Sequence, residues 1–545
     1  MIVFSFVFTG CDKKETTKKE NFMEKEWDTY LTDEDFYVES PTESEWTNTL
    51  KPEFSWTELS GAKEYTLVIN QYMDDCFIPI LKFSGITDTK YSLKSKLEEN
   101  ELYSFNVLAE KDGKTYVAYD DLCGSSFVAK FNPKTHLANV GINYEFKDGI
   151  TLDVLKNYMA RSAACHLLDS YEGNLMNFDE NFRMVLYTGA KYLTRAIGDD
   201  VYYVTQDNDI FLEMYKEKID YAHEIDPDLI FEGCVFETCG PETDKYEIPE
   251  YVFEAFDLPV EKRNFDSSKM LYDDGTWVNH FGDGISMPDM SKLETQMWWY
   301  YRATVLIDHG FEALHLGSTP SISYVDETQG YVAWKRITDL IREYAKNHAR
   351  RGYVILNGHT KNMKTADDKL VFDFNMWMLC GDIPLFETAG APTEDNPQEL
   401  KINGKATEAI YNRTTGGYHP NGEYLDNALY MVELDNYGMD PDANNKPATR
   451  GGNGTMPWGI DEIGWFARQP ENYRHEWLDY AYFRVQELDK DIGYFNMPLL
   501  RRAAHDKGIV YHYRANVPSY GYWIDGKNDE GVIKNVWIKD NKQNK

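Results

Sequence analysis

Basic residues are scarce in this chain of 545 residues: 56 Lys and Arg stand against 91 Asp and Glu, which gives a net charge of -35. A chain this acidic repels phosphate backbones, so nucleic acid is not an expected partner. The N-terminal apolar run, Ile2–Phe8, is too short to span a bilayer, and no other run approaches that length. The seven cysteines show no zinc-ligand spacing and no dense disulfide pattern. The glycine-rich segment 448–459 lacks the lysine of a phosphate-binding loop.

Aromatic residues are abundant, at 15% of the chain. Such a content suits either a large core or a surface on which sugars stack. Length alone allows about three or four domains, or fewer if one of them is a large α/β barrel.

The N-terminus combines a short apolar run with a cysteine. Ile2–Phe8 is followed by Thr9-Gly10-Cys11, which resembles the lipobox of a bacterial lipoprotein, with Cys11 as the lipidated residue. No Lys or Arg precedes the run, so we interpret residues 1–11 as a signal remnant. Residues 12–40 are polar and charged, which predicts a disordered tether. The resemblance implies a lipid-anchored protein of the cell envelope, at the bacterial cell surface or in the periplasm, with no membrane contact beyond the anchor.

Residues 41–130 have the pattern of a small all-β module. Short alternating strands, such as Glu64–Asn70, are separated by turn residues about every ten positions, which predicts a sandwich. Phe54-Ser55-Trp56, the Glu64–Asn70 strand and Tyr103, a candidate for a tyrosine corner, resemble the fibronectin type III-like modules of bacterial carbohydrate-active enzymes. The resemblance implies a spacer module.

From residue 135 to about residue 500, strand and helix patterns alternate. The strand patterns begin at Leu137 (LANVGINYEF), Phe182 (FRMVLYTG), Leu229 (LIFEGCVFE), Glu312 (EALHLGS), Tyr353 (YVILNGHT), Lys369 (KLVFDFN), Ala428 (ALYMVELDNYG) and Asp491 (DIGYFNMP). Eight strands with long crossovers predict a (β/α)8 TIM barrel, so the expected fold class is α/β, with a barrel preceded by an all-β sandwich. Residues 501–545 are expected to be a C-terminal extension packed on the barrel.

Polar residues cluster at the predicted carboxyl ends of these strands, where barrels of this kind hold their chemistry. Any one of them is most often an ordinary polar residue with its hydrogen bonds made within the fold. Polar residues at all eight strand ends together, however, indicate a pocket. The candidates for substrate binding are Asn143, Glu232, His315, Asn357, His359, Asp373, Asn436 and Asn496, with Trp458 as a sugar-stacking residue.

Two glutamates on nearly opposite strands are the candidates for catalysis. Glycoside cleavage uses one protonated carboxyl and one carboxylate. Glu237 follows Val235 and Phe236, so burial should raise its pKa and make it the general acid. Glu433 stands in polar surroundings as nucleophile or base, with Asp435 as the alternative for that role.

Residues 135–500 resemble the glycoside hydrolase superfamily of TIM barrels. In its largest clan, the nucleophile is a Glu at the end of strand 7, which Glu433 matches, and the acid is a Glu after an Asn at the end of strand 4. The predicted strand 4 ends in His315-Leu316-Gly317, so the second position is not matched. The resemblance implies a hydrolase acting on a polysaccharide or oligosaccharide. We expect no cofactor, no metal site and a monomer.

Two other functions remain open from the sequence. One is a non-catalytic glycan-binding lipoprotein built on the same barrel. The other is a metal-dependent TIM-barrel hydrolase that uses His315, His359 and Asp373. Such barrels begin with His-x-His on strand 1, where this chain has Asn143-Tyr144-Glu145, and this difference counts against metal dependence.

Overall fold

The computed structural model describes most of the chain between residues 30 and 543. The described ranges are 30–42, 44–73, 76–118, 126–147, 149–169, 177–197, 209–360, 363–378, 415–435, 462–467, 469–504, 510–518 and 526–543. The chain divides into two compact units. Unit 1 consists of Met1–Gly141, Tyr171–Gly189 and Ala515–Lys545, and unit 2 consists of Ile142–Ser170 and Ala190–Arg514.

The strands, in chain order, are β1 (Val38–Ser40), β2 (Glu45–Thr47), β3 (Glu53–Trp56), β4 (Tyr65–Met73), β5 (Cys76–Ile86), β6 (Lys90–Ser92), β7 (Glu101–Lys111), β8 (Lys114–Val117), β9 (Ser126–Ala129), β10 (Ser162–Cys165), β11 (Tyr192–Thr194), β12 (Ile230–Cys234), β13 (Ala313–Ser318), β14 (Ile355–His359), β15 (Asn375–Met378), β16 (Thr415–Tyr418), β17 (Tyr424–Asn427), β18 (Tyr430–Glu433), β19 (Gly493–Ala504) and β20 (Val510–Arg514).

The helices are α1 (Leu152–Met159), α2 (Phe178–Thr188), α3 (Asp209–Ile225), α4 (Glu250–Ala255), α5 (Leu293–Asp308), α6 (Thr319–Ile322), α7 (Tyr324–Thr328), α8 (Val332–His348), α9 (Glu462–Ala467), α10 (Glu471–Leu488) and α11 (Glu530–Gln543). Among the described residues, none of these helices combines the length and the apolar character needed to cross a bilayer.

Two sheets form the N-terminal part of unit 1. One has the strand order β2-β9-β7-β4-β5 with β8 paired to β7, and the other has the order β1-β3-β6. Alternate residues of these strands, such as Phe54, Leu67 and Phe105, are fully buried and pack in one core. The predicted β-sandwich is therefore confirmed. The Tyr103 hydroxyl accepts a hydrogen bond from the Glu98 amide, 3.0 Å away and five residues upstream; the likeness to fibronectin type III modules stays a prediction.

A buried ion cluster joins α2 to α11 within unit 1. Arg183 donates through both terminal nitrogens to Glu530, at 2.8 Å each, and through Nε to Glu180 at 3.0 Å. Farther along α11, Lys534 donates to Glu101 of β7 at 2.9 Å. The last described helix thus belongs with the sandwich, and the expected extension 501–545 divides between the two units at residue 515.

Unit 2 is a closed parallel barrel. Its eight strands follow the order β10-β11-β12-β13-β14-β15-β18-β19, and β19 pairs in parallel with β10 to close the ring. The antiparallel strand β20 extends the end of β19. Helix α1 packs its apolar face on residues at the strand starts, including Tyr192, Ile230, Ala313 and Ile355. The predicted TIM barrel is confirmed, and its amino end is closed by α1.

The first two predicted barrel strands are wrong. The segment from Leu137 contains no strand, and the segment from Phe182 is the greater part of α2. Asn177 caps that helix by accepting hydrogen bonds from the amides of Asp179 and Glu180, at 2.8 and 3.3 Å. The strands that hold these two positions, β10 and β11, have only four and three residues. Strands lie within or beside the other six predicted segments.

Candidate active site

Within the described part of the chain, a group of ten buried polar side chains lies at the carboxyl ends of the barrel strands. Each of these residues is 4% exposed or less. Eight were predicted from the sequence, namely Glu232, Glu237, His315, Asn357, His359, Glu433, Asp435 and Asn496, and two were not, namely Arg195 and Arg501. Burial of so many charged groups is stable only where they are paired or carry their protons, so their contacts decide what the site can do.

Arg195, the residue after β11, anchors the site. Its backbone has φ of 51°, in the left-handed region that residues other than glycine seldom adopt. Its guanidinium donates to Glu433 Oε1 from Nη2 at 2.6 Å and from Nε at 3.1 Å. The same Nη2 lies 2.9 Å from His359 Nε2. Arg195 therefore joins the ends of β11, β14 and β18.

Glu433, the last residue of β18, is held as a carboxylate. Asn496 of β19 donates to its Oε2 at 3.3 Å, in addition to the bonds from Arg195. Burial alone would raise the pKa of Glu433, but the positive charges of Arg195 and Arg501 outweigh it and hold the pKa well below the usual range. Glu433 is therefore anionic at neutral pH.

Asp435 has its own arginine. Arg501, in the long C-terminal part of β19, donates to Asp435 Oδ1 at 3.0 Å, and its other terminal nitrogen lies 3.3 Å from His166 Nε2. His359 Nε2 lies 3.4 Å from Glu433 Oε1 and 3.5 Å from Asp435 Oδ2. Two carboxylates, two guanidiniums and one imidazole thus form one connected group, in which each carboxylate is paired with an arginine.

Glu237 has the opposite environment. It follows β12 by three residues, is fully buried, and neither carboxyl oxygen has a well-formed hydrogen bond to another described residue. Burial raises the pKa of Glu237, and the Ser318 amide, His359 and Arg195 offset this only in part. The carboxyl lies against Gly317, whose φ of 81° and missing Cβ leave room for it. Glu237 therefore retains a proton at higher pH than an ordinary glutamate.

A hydrogen-bonded chain beneath these acids fixes two further residues. Glu232 accepts from the Tyr192 hydroxyl at 2.5 Å, from Asn357 Nδ2 at 2.6 Å and from the Arg195 amide at 3.2 Å. Asn357 Oδ1 lies 2.7 Å from His315 Nδ1. Because an amide oxygen can only accept a hydrogen bond, His315 carries its proton on Nδ1 and offers Nε2 as an acceptor. Burial, then Arg195 and His359, lower the pKa of His315 well below its usual value, so the ring is neutral.

Three of these residues, the acid–histidine cluster (His359, Glu433 and Asp435), have the donor atoms of a metal site. One donor atom from each lies within 4.8 Å of the others. Both carboxylates, however, are already neutralised by arginines, and Arg195 Nη2 lies against the same His359 nitrogen that would face an ion. A divalent cation would have to displace two guanidiniums, so the arrangement does not fit a resident metal.

The other predicted site residues lie elsewhere or outside the described ranges. Asn143 is exposed on the segment before α1, beside the amino end of the barrel. Asp373 accepts from Arg342 at 3.1 Å, from Tyr353 at 2.5 Å and from the Leu356 amide at 2.8 Å, in a buried network that the ten residues do not share. Cys11, Asn436 and Trp458 lie outside the described residues.

Comparison with known proteins gives no family. No protein-family model matches the chain, and no curated protein matches it. Twenty-one chains of solved structures match.

Three of those chains show the level of likeness. A β-glucuronidase of Faecalibacterium prausnitzii matches at 9% identity and a TM-score of 0.32, over 92% of this chain and 66% of its own length. A debranching enzyme of Nostoc punctiforme matches at 10% identity and a TM-score of 0.30, over 68% of this chain and 72% of its own length. A β-D-glucuronidase of Dictyoglomus thermophilum matches at 11% identity and a TM-score of 0.30, over 93% of this chain and 69% of its own length. Likenesses this weak carry no conclusion about activity.

Proposed function

We propose that the barrel hydrolyses a glycosidic bond in a polysaccharide or oligosaccharide, with Glu237 as general acid and Glu433 as the anionic partner. The observation that supports this most directly is that the pKa values of two buried carboxyls are shifted in opposite directions. Burial raises the pKa of Glu237, whereas arginines hold that of Glu433 well below its usual range. One protonated and one ionised carboxyl is the pair that glycoside cleavage needs.

The topology supports these roles. Glu237 follows the third barrel strand and Glu433 ends the seventh, so three strands lie between them on either side of the ring of eight. A sugar bound between them would receive the proton of Glu237 on its glycosidic oxygen. The carboxylate of Glu433 would attack the anomeric carbon or activate water, and Asp435 is the alternative for that step.

The remaining residues would position the two carboxyls and bind the sugar. Arg195 fixes the orientation of Glu433 through two donors. His315 is a neutral ring with an acceptor at Nε2 and His359 lies 4.7 Å from it, ring to ring, so both are suited to sugar hydroxyls. Asn357 and Glu232 hold His315 in that tautomer.

The test separates the two carboxyl roles by leaving group. Glu237→Gln should lose orders of magnitude in turnover on natural glycans but retain most activity on dinitrophenyl glycosides, whose leaving group needs no proton. Glu433→Gln should lose activity on both. Asp373→Asn is the control for removal of a buried acid outside the site. Near-normal rates in both glutamine variants would refute the assignment.

One observation favours glycan binding without cleavage as a second function. Both oxygens of Glu433 already accept hydrogen bonds, from Arg195 and Asn496, which weakens a nucleophile. Glycan binding by calorimetry, with no release of reducing ends from the same glycan, would favour this function.

We further propose that the protein is lipid-anchored in the cell envelope through Cys11, with the carbohydrate substrate outside the membrane. The apolar run ending in Thr9-Gly10-Cys11 supports this. Behind a complete signal, Cys11→Ala should move the protein from the membrane fraction to the soluble fraction, and unchanged membrane association would refute the anchor.

A further inference from the structure

A long excursion follows Glu237 before the chain returns through α5. It leaves from the carboxyl end of β12, the end that holds the candidate site. Its far part is fastened back beside Glu237: Cys239 and Ser286 exchange two backbone hydrogen bonds of 2.9 Å each. The pairing therefore fixes the end of the excursion around Ser286 at the same end of the barrel as Glu237.

Trp277 occupies a turn of this excursion in an uncommon conformation. Its φ is 63° and that of Asn279 is 57°, which bulky side chains adopt at a cost of about 1–3 kcal/mol. The turn is held by the Met287 amide, which donates to the Trp277 carbonyl at 3.2 Å, and by Ser286 Oγ, which accepts from the Asn279 amide at 3.0 Å. The backbone is thus constrained to present this indole.

Partly exposed rings continue from Trp277 toward Glu237. The indole lies 6.2 Å from Tyr324 at 31° and 4.7 Å from His280 at 84°. His280 contacts Phe281, whose ring lies 5.7 Å from that of Phe236, the residue before Glu237. Tyr324 begins α7, six residues after the end of β13. The rings therefore form a continuous row beside the ends of β12 and β13.

The chemistry of this row fits a sugar. Flat rings pack on the apolar C–H faces of pyranoses, and the histidine and tyrosine among them carry polar edges for hydroxyls. Burial lowers the pKa of His280, so the ring is neutral at physiological pH and can donate and accept. The row stands on the side of the barrel that holds the acid, which is the side of the departing sugar.

We propose that Trp277, His280, Phe281 and Tyr324 form a sugar-stacking subsite for the leaving-group part of a glycan. This rests on the proposed function, because Glu237 marks the leaving-group side only if it is the general acid. The subsite predicts a preference for oligosaccharides over substrates with a single sugar.

The experiment compares two kinds of substrate in the full chain. The probes are tri- and tetrasaccharides of gluco, galacto, manno and xylo configuration, and the glycosyl fluoride of whichever sugar is cleaved. Trp277→Ala should raise KM for the oligosaccharide about tenfold. Turnover of the fluoride, which has no leaving-group sugar, should be unchanged and shows that the variant is folded. Trp277→Phe should restore most of the oligosaccharide affinity, and Tyr418→Ala, an exposed tyrosine of β16, is the matched control.

The outcomes separate the subsite from the proposed function. An unchanged oligosaccharide KM in Trp277→Ala, with normal fluoride turnover, would overturn the subsite alone. An equal loss on both substrates would also overturn it, since the residue would then act on the reacting sugar. Failure of the unaltered protein to bind or cleave any probe would overturn the proposed function together with the subsite.

Discussion

Replacing Arg195 with Met tests how the charge of Glu433 is set. The guanidinium gives Glu433 two donors, at 2.6 and 3.1 Å, where both side chains are buried. Removing one partner of a buried ion pair costs about 3–5 kcal/mol. One pKa unit corresponds to about 1.4 kcal/mol. If the Glu433 anion loses about 3 kcal/mol of stabilisation relative to the protonated form, the pKa of Glu433 should rise by about two units. Arg501 and Asn496 remain, so we take the lower end of the range.

The assay is the pH dependence of kcat/KM. The proposed reaction needs Glu433 ionised, so the rate rises with pH through its pKa, and this acid limb should move upward by about two units in Arg195→Met. Arg342→Met is the matched control, because Arg342 is also paired with a buried acid, Asp373 at 3.1 Å. Arg342→Met should lose a similar free energy of unfolding, but the acid limb of its kcat/KM profile should stay where it is in the unaltered protein. An unmoved limb in Arg195→Met, with stability lost in both, would refute this account of Glu433.

Three further predictions follow from the packing. Gly317→Ala adds a methyl that overlaps the Glu237 carboxyl, so its turnover should be well below that of the control Gly422→Ala. Gly422 has a similar φ of 94°, but no atom lies within 4 Å of the added carbon, and equal turnover in the two variants would contradict the contact. Arg183→Met strands two buried acids of unit 1 and should lower the free energy of unfolding in urea by about 3–5 kcal/mol, with turnover per folded molecule unchanged. Chelation with EDTA should leave the rate unchanged, because arginines neutralise the acid–histidine cluster; loss of activity restored by a divalent metal would contradict this.

The sequence predicted the fold class and most of the candidate site because the later strands are strongly patterned. Segments such as Leu229–Glu237 and Ala428–Tyr437 alternate apolar residues with acids at the carboxyl end, so Glu232 and Glu433 could be placed by strand count. The raised pKa of Glu237 was also expected. For Glu433 the sequence indicated only polar surroundings, and the two arginines that hold its pKa low were not predicted.

Arg195 and Arg501 were missed for a local reason. β11 has three residues, too few for a periodic pattern, so the arginine after it had no predicted strand end to mark it. β19 continues past Pro498 to Ala504, whereas the predicted strand stopped at that proline and left Arg501 in the extension. The helix read as a strand at residue 182 had one usable signal, the cap at Asn177 followed by two acids.

The make-up of unit 1 has a consequence for synthesis on the ribosome. The sandwich is made first, but Tyr72 bonds to Asn528 at a separation of 456 residues, and Glu101 bonds to Lys534 at a separation of 433. At about 5–20 residues per second, the closing helix emerges roughly 20–90 s after the strands it completes. During that interval the nascent sandwich has a face without its final partner while the whole barrel is being made. Chaperone binding to nascent chains should therefore begin at the sandwich and end only when α11 leaves the exit tunnel.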